Sequence, residues 1–188
     1  LLSLFLCHKE RYLRSVKVLL TLVLTFLALT PVMTETPSQL PKALEVLKKF
    51  SGVWETRTRI CNEGPPRREF NTRGKATCRQ TLEGRYFEFR SQSIPAGQAD
   101  LQVMTYDVQA GVYRQWVFDS DGYYHQAEGK WEPANSTLRW QGKTADASFV
   151  IEDHWISADR LEWTLVRTDA GGRKLQTIAG TLIRVRDH

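Results

Sequence analysis

From residue 53 onward the chain alternates. Trp54, Thr56, Thr58 and Ile60 are separated by Glu55, Arg57 and Arg59, the period of two expected of a strand with one dry face and one wet face. Phe87 and Phe89 oppose Glu88 and Arg90, and Leu138 and Trp140 oppose Arg139 and Gln141. Leu161, Trp163 and Leu165 oppose Glu162 and Thr164. The pattern predicts strands over 53–61, 72–81, 85–93, 100–107, 112–118, 123–131, 137–142, 147–156, 161–168 and 174–185. Turn chemistry separates them, as at Leu82-Glu83-Gly84, Asp121-Gly122 and Ala170-Gly171-Gly172. No segment supplies the helices that parallel strands need for their crossovers. The class is therefore all-β, an up-and-down antiparallel meander of about ten strands. Closure into a barrel follows, because it removes exposed edges. The runs 100–107, 147–156 and 174–185 are apolar on both faces, so alternation does not orient them.

Ahead of the strands, Ala43, Leu44, Val46, Leu47 and Phe50 recur at helical spacing. Ser38 can cap this helix, Pro41 suits its first turn and Gly52 suits its stop. One short amphipathic helix is expected, reached through a polar linker over residues 35–41.

Further upstream the character changes. Residues 18–29 read VLLTLVLTFLAL without a charge and follow Arg11, Arg14 and Lys17. A basic stretch and a short apolar run make a secretory signal peptide; a spanning helix needs about 20 apolar residues. Residues 1–34 are read as that leader. The mature chain is expected to start between Leu29 and Pro37, to be secreted or periplasmic, and to have no membrane span. Because Lys17 adjoins the apolar run directly, translation is expected to start near Val16, leaving residues 1–15 untranslated. The barrel domain occupies residues 42–188.

The leader also accounts for much of the charge. The whole chain carries 26 basic and 21 acidic side chains, net +5. Without Lys9, Arg11, Arg14, Lys17 and Glu10 there remain 22 and 20, net +2. With the signs interspersed, little electrostatic reason remains to bind nucleic acid. Two cysteines persist, Cys61 and Cys78. Alternation points Cys61 outward with Arg59 and Cys78 inward, which opposes a disulfide. A break in alternation near Asn62-Glu63-Gly64-Pro65-Pro66 would permit one, so both outcomes stay open.

A short helix followed by Gly52-Val53-Trp54 resembles the opening of the calycin barrels, the lipocalins and fatty-acid-binding proteins. The resemblance implies that Trp54 plugs the closed end and that an arginine of the last segment, Arg184 or Arg186, covers it. Leu47, Phe50, Gly74, the run Leu82-Glu83-Gly84-Arg85-Tyr86, Trp116, Asp119, Ser120, Gly122, Gly129 and Trp131 are together similar to a bacterial calycin-like family, domain of unknown function 1579. That family implies a fold and no established activity. The haem-binding nitrobindin-like barrels share Gly-x-Trp, but their glycine-rich continuation is replaced by Glu55-Thr56-Arg57-Thr58, so no cofactor is expected.

His125 is the sharpest candidate for chemistry, since alternation sets it inside with Tyr123 and Trp131. If Ser120-Asp121 is a two-residue turn, Trp116 lies opposite His125 and Phe118 opposite Tyr123, which brings Arg114 inside as well. A buried arginine needs a partner, either Asp153 across the interior or the carboxylate of a ligand such as a fatty acid. The expected ligand site is thus Arg114, Trp116, Phe118, Tyr123, His125 and Asp153. His154 reads as a surface residue, and the histidines lack metal-ligand spacing. Asp119-Ser120-Asp121-Gly122 starts like a calcium loop but lacks the later ligands. Three roles follow: a carrier of a small apolar or amphiphilic ligand, a structural or partner-binding barrel with a filled interior, or an enzyme using His125, Asp153 and Arg114.

Overall fold

The computed structural model describes residues 40–94 and 97–186. The leader, its cleavage region, the proposed Ser38 cap and most of the linker lie outside them. A helix α1 (Leu44–Lys48) leads into ten strands: β1 (Gly52–Asn62), β2 (Arg68–Thr81), β3 (Tyr86–Ile94), β4 (Ala99–Asp107), β5 (Val112–Asp119), β6 (Tyr124–Glu132), β7 (Thr137–Lys143), β8 (Ser148–Ser157), β9 (Arg160–Thr168) and β10 (Lys174–Arg184). Every pairing is antiparallel between neighbours in sequence, and β1 pairs with β10 to close the barrel. No described helix is long and apolar enough to cross a membrane.

The register fixes what points inward. Trp54 pairs with Ala76 and Arg184, Cys78 with Phe89, Phe87 with Met104 and Met104 with Gln115. Gln115 pairs with Ala127, Gly129 with Trp140, Leu138 with Asp153, and Asp153 with Trp163. Because residues two apart share a face, these pairings orient all ten strands, including β4, β8 and β10.

The structure corrects β5. Asp119 N–H donates to Tyr123 O at 2.8 Å and Gly122 N–H to Asp119 O at 3.0 Å, so the loop is Ser120-Asp121-Gly122, three residues rather than two. Gly122 sits at φ +90°, the left-handed residue that a three-residue hairpin loop uses. One extra loop residue shifts the register by one, and a one-residue shift turns a strand inside out. Phe118 therefore pairs with Tyr124 and Val117 with His125. Tyr113, Gln115, Val117 and Asp119 face in; Arg114, Trp116 and Phe118 face out.

At one end the barrel is filled. Trp54, Trp140, Phe87, Leu138 and Leu161 are buried, and Leu44, Leu47 and Phe50 of the helical segment cap them. Trp54 Nε1 donates here to Phe50 O at 2.7 Å, and Tyr113 Oη to Ala43 O at 3.0 Å, while Trp155 Nε1 and Ser51 Oγ are buried without a partner among the described residues. Arg184 rather than Arg186 lies over the Trp54 ring, at 4.1 Å from its centroid. It also donates to Lys49 O at 2.9 Å and to Ser51 O, which ties the helix to β10. Arg186 instead pairs with Asp159 on the outside. Gly52, at φ +121°, lets the chain turn from helix to β1, and a Cβ there would meet Arg184 Nη1 at 2.5 Å.

Candidate functional site

Along the same strands, away from the helix, the inner face changes. Ile60, Ile151, Leu165 and Ile178 face inward, yet solvent still reaches part of each. Inward apolar side chains that remain partly wet mark interior space. Trp163 borders it, lying flat on the backbone of β10: a Cβ on Gly180 would meet Trp163 Nε1 at 2.3 Å. A hollow of about 640 Å³ is on the outside of β1, β2, β9 and β10. Arg57, Arg59, Arg73 and Glu162 line it, and their alternation points these side chains away from the interior.

Polar side chains gather at the mouth of the interior. Ser91, Asp100, Gln102, Gln115 and Asp119 belong to the inner faces of β3, β4 and β5, beside His125 of β6. Arg167 of β9 and the Asn62–Gln176 pair, joined at 2.8 Å, complete the rim. Six buried side-chain polar atoms lack a partner among the described residues, and three of them are in this half: Gln115 Oε1, His125 Nε2 and Arg167 Nε. Leaving such a group unpaired costs about 1–3 kcal/mol.

The electrostatics follow from this placement. Burial lowers the His125 pKa below the usual histidine range, and the nearby Arg167 charge lowers it further. The imidazole is thus held neutral, edge-on to the Phe149 ring at 4.8 Å. Asp119 is raised to about 6, by burial first and then by Asp100 and Asp121. Arg167 reaches Asp146 at 3.5 Å.

The expected site residues divide. His125 is at the mouth. Asp153 also faces in, but within the filled half, where Trp140 Nε1 donates to it at 2.8 Å and burial raises its pKa to about 7. Arg114 is outside, bonded to Asp107 at 3.4 Å and to Glu128. Trp116 is half-buried on the outer wall, and Phe118 and Tyr123 are 46% and 73% exposed. His125, Asp153 and Arg114 therefore do not meet. Gln115, Asp119 and Arg167 join the site instead. Alternation from Leu161 through Leu165 already pointed Arg167 inward; Gln115 and Asp119 depended on the loop length. Cys61 and Cys78 are free thiols on opposite faces. Cys61 accepts from Arg67 Nε at 3.0 Å, and burial pushes Cys78 up to about 12. Among the described residues no group of three side chains is placed to hold a metal ion.

Two solved structures resemble this one. Rv2717c of M. tuberculosis aligns with a TM-score of 0.59 at 15% identity, over 78% of this chain and 99% of its own. The S-type phycobiliprotein lyase CPES of Guillardia theta aligns at 0.57 and 9%, over 78% and 94%. At such identities the likeness concerns the fold. No curated protein matches the chain. The model of a protein family of unknown function, DUF1579, matches residues 41–181. The chain, a lipocalin-like barrel with one filled end and one open end, belongs to the DUF1579 family.

Proposed function

We propose that this barrel binds a small, largely apolar molecule with a polar end in its open half, and that it does so outside the cytoplasm. The observation that carries the reading is the unpaired trio Gln115 Oε1, His125 Nε2 and Arg167 Nε, set beside the partly wet residues Ile60, Ile151, Leu165 and Ile178. A cavity with apolar walls and a few convergent polar groups is the usual form of a small-molecule site. A ligand that fills it removes apolar surface from water and supplies hydrogen bonds that those groups lack. The basic stretch and apolar run before residue 30 support export.

The test is titration with a neutral, environment-sensitive fluorophore. Wild type should bind one equivalent with a blue shift. Ile178→Trp, which places an indole between Ile60 and Leu165, should abolish it. Absence of saturable binding, or equal binding by the two proteins, would overturn the reading.

A further inference from the structure

We infer that the β4–β5 wall of the cavity is a receptor for a cationic nitrogen, so that the bound molecule is an amphiphilic amine. This rests on the binding reading above and specifies its ligand. A chain of hydrogen bonds runs along this wall. Ser91 Oγ and Gln102 Nε2 both donate to the Asp100 carboxylate, the latter at 3.0 Å. With its amide nitrogen committed there, Gln102 can offer only Oε1 to Gln115, and Gln115 Nε2 donates to it at 2.8 Å. Reversing either amide would set oxygen against oxygen or nitrogen against nitrogen. The free end of the chain is thus an acceptor, Gln115 Oε1, on a side chain only 4% exposed.

The neighbouring groups ask for the same thing. Asp119 is directly across from Asp100 in register. Its carboxylate has no hydrogen bond or ion pair, and neither aspartate meets a lysine or arginine, among the described residues. Two carboxylates set opposite each other on adjacent strands repel. His125 is beside Val117, between Gln115 and Asp119 along the wall. Its neutral ring has a lone pair to offer on one nitrogen, and Nε2 is unpaired. Among the described cations whose register faces the mouth, Arg167 is turned towards Asp146 and keeps a buried, unpartnered Nε on β9, and Arg68, paired with Asn62, is exposed at the rim. The β4–β5 wall therefore holds acceptors and uncompensated negative charge, and the unpaired donor of the mouth, Arg167 Nε, belongs to β9 rather than to this wall. A protonated amine provides up to three donors and the missing charge, while its tail lies along Ile60, Ile151, Leu165 and Ile178. A carboxylate-headed ligand would meet Asp100 and Asp119 as like charges.

Decylamine, decanol and decanoate share one tail and differ in the head, so displacement of the neutral fluorophore ranks the heads. The amine should bind about tenfold or more tightly than the alcohol, and the acid most weakly. Asp119→Asn should lower amine affinity about tenfold and narrow the gap between amine and decanol, while Asp119→Glu, which keeps the charge, should retain most of the amine affinity. Asp119 is at the half-exposed end of β5, and thermal melts of the variants that match wild type verify that they are folded. Amine binding no tighter than decanol, or unaffected by Asp119→Asn, would overturn the inference and leave the binding reading standing. Failure of all three probes to bind would overturn both.

Discussion

The two ends of this barrel are built from the same ten strands, yet their inner faces obey different rules. In the filled half, Trp54, Phe87 and Trp140 are buried against the helical segment, and Trp54 Nε1 and Trp140 Nε1 each have a partner. In the open half, inward isoleucines and leucines stay partly wet, and Gln115, His125 and Arg167 each carry an unpaired atom. The first arrangement is what stability selects, close packing, although Trp155 Nε1 and Ser51 Oγ are buried there without a partner among the described residues. The second gives up some stability. Sites commonly depart from local optimisation in this way, and the departure indicates where to look for function. Closing the strands into one barrel couples the halves: the filled base holds the strands in register, and the register sets which side chains reach the mouth.

Emptying the filled half should have the largest effect on stability. Trp54→Ala should cost about 3–5 kcal/mol, because it removes the largest plug and leaves Arg184 without its ring. Thermal and denaturant melts measure this; a loss below about 1 kcal/mol would mean that the base is not the stabilising half.

A smaller effect, of opposite sign, comes from the ionisable group in the filled half. Asp153 has its pKa raised to about 7 by burial, against an unfolded value of about 3.9. The folded state therefore holds this proton more tightly than the unfolded state. Its contribution is fully present below about pH 4 and is lost as pH rises through about 7. Asp153→Asn keeps an acceptor for Trp140 Nε1 without the charge. It should stabilise the protein by about 2 kcal/mol at pH 8 and flatten the fall in stability between pH 4 and 7. Equal pH profiles for variant and wild type would mean that Asp153 titrates in the ordinary range.

Much of the architecture was legible because strands with one wet face announce themselves. β1, β3, β6, β7 and β9 alternate cleanly, and their inward sets match the structural register. β5 did not, because Tyr113 and Val117 on one face compete with Trp116 and Phe118 on the other. Its orientation hung on one loop, and Gly122 in the left-handed region made that loop three residues rather than two. That single residue moved Arg114 from the interior to an outer salt bridge with Asp107 and Glu128, and brought in Gln115 and Asp119. The β5 contribution to the site changed with it, from a cation to the acceptors Gln115 Oε1 and Asp119. Asp153 shows a different limit. Its inward direction is settled only by the pairing of Leu138 with Asp153, and its depth along the barrel by the register of the whole sheet.

Native mass spectrometry of the protein purified from the cells that make it decides whether the open half carries a ligand. The chain should begin between Leu29 and Pro37 and carry one small molecule as added mass, with that mass absent from Ile178→Trp prepared in the same way. A bare chain in both preparations, or the same added mass in both, would contradict binding in the open half.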